Sequence, residues 1–376
     1  MKIRIKNFGP IKNGFGEDGF MEITDFTMII GPPGSGKSTI AKALSTLMWI
    51  EKALVRGDFT DREIKRSGHF KGHFDYHNIK SYFSKDTIIE YVGSMYRIAY
   101  RGEGNLEIEE VATEFISIPK IMYVPSERNF ISAIPKPGMI RDLPPSFAAF
   151  LGEYDKARKS LNEDLKLPIA NVSFSYDKLN DVSWVNRYGN KTRLSQSASG
   201  FQSLIPLYLV SSYLAKQYPS TSEPIGPDVA INLGEREGLS IEDMAKLRKE
   251  IQYLLETRPN DPNFINMVNS LLASLSPSHF MNIVEEPEQN LFPDAQIKMM
   301  FELLSFSNYN EQNKLIVTTH SPYLINAISL AVAAKRVYDK NTLSTDVIKD
   351  LELIVPREAT IDPEQLRVYK TDDKGN

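Results

Sequence analysis

No cysteine occurs anywhere in the 376 residues. That excludes disulfides, a cysteine zinc site and a cysteine nucleophile, and it suits a reducing cytoplasm. Histidine is scarce, with five in the chain. Long hydrophobic runs are missing too. The longest apolar stretches, Leu204 to Ala215 and Tyr323 to Ala334, fall short of the about 20 residues that a spanning helix needs, and polar side chains interrupt them. No membrane partner is expected. The opening MKIRIKNFGPIKNG is polar and strand-like and lacks the apolar centre of a secretory signal. Neither sign of charge dominates: 44 basic side chains stand against 48 acidic ones, a formal charge of −4. A nucleic-acid coat is therefore not indicated, although a local patch stays open. There is no internal repeat, low-complexity tract or heptad run long enough for a coiled coil. What is left is an ordinary globular composition, 41% apolar and 24% charged, able to bury a sizeable core in a soluble, cytoplasmic chain.

Hydrophobic patterning sets out the elements. Residues 1–6 alternate basic and apolar as an edge strand would, and residues 20–24 read as a second strand. Phe26 to Ile30 is a buried strand ending at Gly31, followed by helical spacing from Ser38 to Val55. Residues 57–75 read as mixed loop and helix, 86–100 and 105–118 as a hairpin region, and Ile121 to Val124 as a short strand. The proline-rich stretch 131–147 marks a crossing into an inserted segment. A helix over about 147–163, short strands, a helix starting near Ser203 and a helix pair at 240–256 and 262–275 follow. Ser240 and Asp243 fit the acidic form of a capping box for that pair. Phe280 to Val284 and Leu315 to Thr318 are two further buried strands.

Gly31-Pro-Pro-Gly-Ser-Gly-Lys-Ser-Thr39 fits G-x-x-x-x-G-K-[ST] without a mismatch, after a buried strand and before a helix. Its glycines, Gly31, Gly34 and Gly36, let the backbone curl so that N–H groups converge on phosphate oxygens. The helix N-terminus adds its positive end. Ser35 and Thr39 belong to the same cradle, Lys37 would reach the β- and γ-phosphates, and Ser38 would ligate Mg²⁺. Met281 to Glu288 is an apolar strand ending in consecutive carboxylates. Such an end can hold a metal's water shell through Glu285 and polarise an attacking water through Glu286. His320 follows the third buried strand, where a histidine can hydrogen-bond a γ-phosphate. Ala198-Ser-Gly-Phe-Gln-Ser203 opens a helix, and a Ser-Gly pair there is a second anion site through Ser199 and Gly200. Taken alone, that pair reads equally as a cap.

These four motifs, in this order, resemble the ABC-type ATPase heads shared by SMC, RecF and OLD-like proteins. The resemblance runs through IKNFGPIKNG, the P-loop, ASGFQS, EEPEQNLFP and TTHSPYLIN. The EEPE form is most similar to OLD-like and stand-alone anti-phage defence ATPases such as those of the PARIS and Septu systems. Phe292 stands where that group has histidine. Ala198 and Phe201 replace the leucine and second glycine of the transporter signature.

The resemblance implies an α/β head: a mixed core sheet with flanking helices, an N-terminal antiparallel strand layer and an inserted helical lid. It places the core at 1–130 and 278–376 and the lid at 131–277. It further implies ATP and Mg²⁺ as cofactors, and a homo-oligomer, at least a dimer, closing head-to-tail around ATP. Ser199 and Gly200 would cap the partner's nucleotide, and Asn290 to Pro293 would lie at the seam. The implied role is a sensor or scaffold ATPase acting through a separate effector, possibly a nuclease. The 56 residues after His320 are too few for a TOPRIM nuclease domain. A RecF-like repair ATPase that binds DNA is the alternative. A transporter subunit and a hydrolysis-dead scaffold are weaker readings.

Three weaker signals complete the reading. Val124 to Arg128 ends a strand where the family has a γ-phosphate-sensing loop, or else forms a structural Arg–Glu turn. His69, His73 and His77 fall at i, i+4, i+8, where zinc could bind, but Gly68, Gly72, Phe70 and Phe74 favour packing. The locally basic segment 52–71 reads as a solvated face before a DNA patch.

Overall fold

The computed structural model describes residues 1–15, 19–102, 104–111, 118–134, 139–140, 142–169, 171–218, 277–340 and 344–375. The helix pair expected at 240–256 and 262–275, with its Ser240–Asp243 cap, lies outside them. So does the end of the strand expected over 105–118.

The chain order is β1 (Lys2–Phe8), β2 (Met21–Glu22), β3 (Phe26–Ile30), α1 (Lys37–Arg56), the short α2 (Asp61–Ile64) and α3 (His69–Gly72), then β4 (Phe83–Val92), β5 (Tyr96–Arg101), β6 (Asn105–Glu110) and β7 (Pro119–Val124). Next come α4 (Asn129–Ala133), α5 (Pro145–Ser160), β8 (Leu165–Lys166), β9 (Val172–Asp177), β10 (Val182–Arg187), β11 (Asn190–Arg193) and α6 (Ser199–Gln217). After the undescribed stretch follow β12 (His279–Glu285), α7 (Pro293–Ser307), β13 (Lys314–Thr319), α8 (Pro322–Tyr338), α9 (Thr345–Ile354) and β14 (Leu366–Lys370).

The core sheet has the order β14-β3-β13-β12-β7, and each adjacent pair runs parallel. Both halves of the chain supply its strands. A sheet covered on both faces needs strands apolar on both sides, and these strands are. Phe280, Val284, Leu315, Val317, Met28 and Met122 point to one core, shared with α5, α6, α7 and α8. Their neighbours Met281, Ile283, Ile316, Ile29 and Tyr123 point to the other, shared with α1 and the N-terminal sheet. That N-terminal sheet is antiparallel, in the order β2-β1-β4-β5-β6. A third, four-stranded antiparallel sheet, β11-β10-β9-β8, follows α5. The expected α/β class with an N-terminal antiparallel layer is what the chain forms. Parallel and antiparallel strands segregate into separate sheets.

Two expectations shift. β1 is not an edge strand, since it lies between β2 and β4. Its alternation reports one wet face, not an edge: Ile3 and Ile5 are buried, while Arg4 pairs with Glu90 and lies over the Phe20 ring. The helix expected near Ser203 starts one turn earlier, at Ser199.

α1 is buried on nearly every face because both large sheets pack on it. It therefore carries an interior carboxylate, Glu51, which is 5% exposed. Tyr91 Oη donates to it at 2.6 Å, and the Met95 and Tyr96 backbone N–H groups donate at 2.8 and 3.1 Å. Gly93 makes room for it, since a Cβ there would lie 2.0 Å from Glu51 Oε1. Burial raises the Glu51 pKa, against the pull of its three donors. Replacing Glu51 with Leu would strand those donors without an acceptor. Glu51→Leu should cost about 3 kcal/mol in urea unfolding, and an unchanged midpoint would contradict this account of how α1 is tied to the antiparallel sheet.

Candidate active site

Parallel strands deliver their following loops to one edge, and in such sheets ligands bind outside the carboxyl ends. Five loops meet there. Ile30 pairs with both Thr319 and Lys370, Thr318 with Glu285, and Val284 with Val124. The P-loop after β3, His320 after β13, Glu286 after β12, Ser126 to Arg128 after β7 and Thr371 after β14 therefore emerge side by side.

The P-loop opens α1 through Gly36, whose φ of 96° lies in the left-handed region that glycine tolerates. Gly34 has φ 79° and open space where a Cβ would stand, which lets a ligand approach its backbone. Gly31 is required for another reason: a Cβ there would meet Thr371 Oγ1 at 2.1 Å. Thr371 closes the loop from outside. Its hydroxyl lies 2.6 Å from Ser35 Oγ, and its N–H donates to Ile30 O at 2.8 Å. Lys37 is 5% exposed and donates to Gly31 O and Pro32 O, both at 2.8 Å. Burial lowers its pKa, while Glu286, Glu288 and Glu285 pull it back up. Its ammonium thus lies within electrostatic reach of all three carboxylates. Ser38 is half-buried and Thr39 buried in the first turn of α1.

Glu285 is 1% exposed. Its Oε2 accepts from the Ser126 N–H at 3.4 Å, and its Oε1 is buried without a hydrogen bond. A carboxylate oxygen of this kind fits the water shell of a divalent cation. Among the described residues no group of three or more His, Asp or Glu could hold a metal alone. Mg²⁺ would then depend on Ser38, Glu285 and phosphate oxygens together, its usual mode of binding. Glu286 follows with φ 43°, a left-handed turn that a non-glycine residue adopts only when its surroundings hold it. Its N–H donates to Thr318 O at 2.9 Å.

What holds the turn is Arg128, which is fully buried. Its Nη1 donates to Glu285 O at 2.7 Å and Pro125 O at 3.2 Å, its Nη2 to Glu286 O at 2.7 Å, and its Nε to Ser203 O on α6 at 3.1 Å. Burial lowers its pKa to about 10, with the neighbouring glutamates opposing the shift. The Val124–Arg128 segment therefore forms a structural arginine turn, its guanidinium bonded to backbone carbonyls.

His320 is half exposed at its side chain, with Nδ1 3.7 Å from Glu286 Oε1 and 3.5 Å from Glu288 Oε1. Its place is set by Glu288, whose Oε1 accepts from Thr319 Oγ1 at 2.6 Å and from the His320 N–H at 3.0 Å. Ser321 caps α8 and donates to Gln296 Oε1 at 2.6 Å, which ties that helix to α7.

The Ser-Gly pair is joined to the same turn. A Cβ on Gly200 would come 2.9 Å from Asn290 O, and Asn290 Nδ2 donates to Ser203 Oγ at 2.9 Å. Gln202 Nε2 ties back to Ser197 O at 3.1 Å. Ala198, the N-cap residue of α6, offers no side-chain cap, and Ser199 is exposed.

The weaker signals resolve into packing. His73 stacks on Phe59, His69 meets His73 edge-on, and His77 lies against Tyr123 with Nε2 3.2 Å from Ser45 Oγ. In the basic segment Lys65 pairs with Asp61, Arg56 with Asp58, and Lys71 lies over Phe83 and Tyr100. The sequence offers Arg128 only as part of a γ-phosphate-sensing loop or an Arg–Glu turn, and gives Glu288, Gln296 and Thr371 no site role. Arg128 and Glu288 sit inside recognised motifs, whereas nothing local marks Thr371.

The family model described as an AAA ATPase domain matches residues 275–325. No curated protein matches the chain. Among solved structures, the chain is similar to an SMC head domain from Thermotoga maritima, at 12% identity and a TM-score of 0.34, covering 87% of this chain and 90% of that one. It is also similar to an SMC head solved bound to the C-terminal winged-helix domain of ScpA, at 12% identity and a TM-score of 0.38, with the same coverage. Among the described residues no helix is long and apolar enough to cross a membrane.

Lysine cannot reproduce the planar fork of Arg128. Arg128→Lys should lose at least about 2 kcal/mol in thermal unfolding, since hydrogen bonds to a charged group contribute about 1.5–3 kcal/mol each. A melting curve like the parent's would show that these contacts do not hold the turn.

Proposed function

We propose that this ATPase is a switch whose active sites are shared between two copies of the chain, each P-loop being completed by the α6 N-terminus of the other. The observation that carries this reading is α6 itself. Its first turn is uncapped, exposed at Ser199, and fastened through Gly200, Ser203 and Asn290 to the turn that bears Glu286. A phosphate-sized anion is the natural partner of such a terminus, and the chain's own P-loop already has its helix N-terminus in α1.

Within one site the P-loop N–H groups would hold the phosphates, and Lys37 would exchange the Gly31 and Pro32 carbonyls for phosphate oxygens. Mg²⁺, when bound at Ser38 and Glu285, would neutralise charge developing on the β- and γ-phosphate oxygens. Glu286 would take a proton from the attacking water as its oxygen bonds to the γ-phosphorus. The bond to the bridging oxygen would break, and ADP and phosphate would leave. His320, held by Glu288 beside Glu286, would lie where the γ-phosphate is present or lost. Loss of that phosphate would release the partner's Ser199 and open the pair. In this reading the ATPase core spans residues 1–130 and 278–376, and the inserted segment 131–277 contributes the signature helix.

The finer reading is a sensor or scaffold ATPase of the anti-phage type, signalling to a separate effector. Its support is the EEPE form of the carboxylate turn, and the pairing of Lys65, Arg56 and Lys71 within the chain speaks against a DNA patch there. Glu286→Gln should lower steady-state turnover by about 10²-fold or more and accumulate an ATP-loaded dimer in light scattering. Duplex DNA should leave the parent's turnover unchanged. A variant that hydrolyses ATP at the parent rate, or keeps one mass with and without ATP, would remove this reading.

A further inference from the structure

A groove opens beside α1, away from the P-loop. It consists of two adjoining hollows of about 420 and 400 Å³ that share Trp49, Tyr76, Ile121 and Met122. Each is within the usual size of a small-molecule site, about 300–1,000 Å³. β7, which forms one wall, is the outermost strand of the core sheet.

The two halves differ in chemistry. The larger is aromatic: Trp49, His73, Tyr76 and Tyr123 line it. Trp49 and Tyr76 are 45% and 39% exposed, with Trp49 also meeting Phe59 and His73 and Tyr76 meeting His77. His73 Nε2 is buried here without a hydrogen bond. Burial also lowers the ring's pKa. Asp75, also in this half, is paired with Lys80 at 2.9 Å.

The smaller half is cationic. Lys52, Lys120 and Lys156 line it with one carboxylate, Glu153. Glu153 already serves two of them, at 2.8 Å from Lys120 and 3.0 Å from Lys156. Lys52 donates to Pro119 O at 2.8 Å, a neutral acceptor. Three ammonium groups against one carboxylate favour an anion.

We propose that this groove binds a second nucleotide, distinct from the ATP that is hydrolysed, with its base against Trp49 and Tyr76. Its phosphate lies among Lys52, Lys120 and Lys156. The flat apolar face and the negative group of that ligand each have a counterpart in the lining. The site is separate from the P-loop. Trp49 lies 12 residues after Lys37 on α1, or about 18 Å along the helix axis. The two sites nevertheless share one rigid helix, and β7 leads into the segment whose Arg128 holds the catalytic turn. Occupancy of the groove therefore bears on α1 and β7 together.

The test reads binding alone and does not depend on hydrolysis or on dimer formation. Trp184→Phe leaves Trp49 as the only tryptophan of the two in the chain, and Lys37→Ala disables the P-loop. AMP and GMP, each titrated to millimolar concentration, should quench Trp49 fluorescence saturably in that background. Adenosine should bind more weakly and inorganic phosphate should leave the signal flat. Tyr76→Ala and Lys156→Glu, both at exposed side chains, should each weaken AMP binding by about tenfold or more, a change of about 1.4 kcal/mol. The same titration with Lys37 intact and the P-loop saturated with ADP guards against misfolding of the Lys37 variant. No saturable quenching by AMP or GMP in either background would overturn the proposal, as would quenching that neither groove variant weakens.

Discussion

A guanidinium with no exposure to water holds four backbone carbonyls at once, and the active-site edge of the protein is arranged around it. The Arg128 charge is balanced by the dipoles of Pro125, Ser203, Glu285 and Glu286 and by the field of four nearby glutamates. A buried cation left unpaired would be destabilising by several kcal/mol, so these acceptors cannot drift apart cheaply. The consequence is geometric. The left-handed turn at Glu286, the end of β12 and the first turn of α6 form one unit. Gly200 packed on Asn290 and Asn290 bonded to Ser203 brace the same unit from the other side. Whatever moves the carboxylate turn moves Ser199 with it.

A second unit surrounds the P-loop. Thr371, from the far end of the chain, bonds to Ser35 and Ile30 and occupies the space a side chain at Gly31 would need. Lys37 bonds back to the loop's own carbonyls. The loop is thus already curled, and its lysine has neutral acceptors that phosphate oxygens can replace. Between the two units stands His320, fastened through its backbone to Glu288, its half-exposed ring beside Glu286 and Glu288. A group so placed can respond to a charge arriving from the P-loop side without disturbing the fold.

Much of this was legible in the sequence, for identifiable reasons. A phosphate cradle must be contiguous backbone, so Gly31 to Thr39 spells itself out. Strands buried on both faces must be apolar on both sides over most of their length, so β3, β12 and β13 announce themselves, and the residues after them mark one edge. Contacts made across the chain were not legible. Thr371 lies 336 residues from Ser35 in sequence, and no local pattern announces it. The VPSER segment showed an arginine after a strand, yet only the fold shows that guanidinium turned inward onto carbonyls. The basic–apolar alternation of β1 was read as an edge because alternation reports a wet face and says nothing of neighbours. Histidines at helical spacing suggested a ligand ladder. The chain passes from α3 into a 3₁₀ turn at His73, and the rings pack on aromatic neighbours, His69 and His73 on Phe59 and His77 on Tyr123. The groove beside Trp49 drew its walls from α1, the His73–His77 turn, β7 and α5, which no single stretch could reveal.

The central claim is that one copy's Ser199 completes the other copy's P-loop. It is tested most directly by mixing two inactive variants, Lys37→Ala and Ser199→Arg, before ATP is added. Each pure variant would form only defective sites. A mixed dimer would contain one intact site, the P-loop of the Ser199 variant facing the Ser199 of the Lys37 variant. An equal mixture should therefore regain about a quarter of the parent's turnover, as random pairing in a two-fold dimer requires. A mixture that stays as inactive as its components, or a Ser199→Arg chain that hydrolyses ATP unaided, would contradict the account.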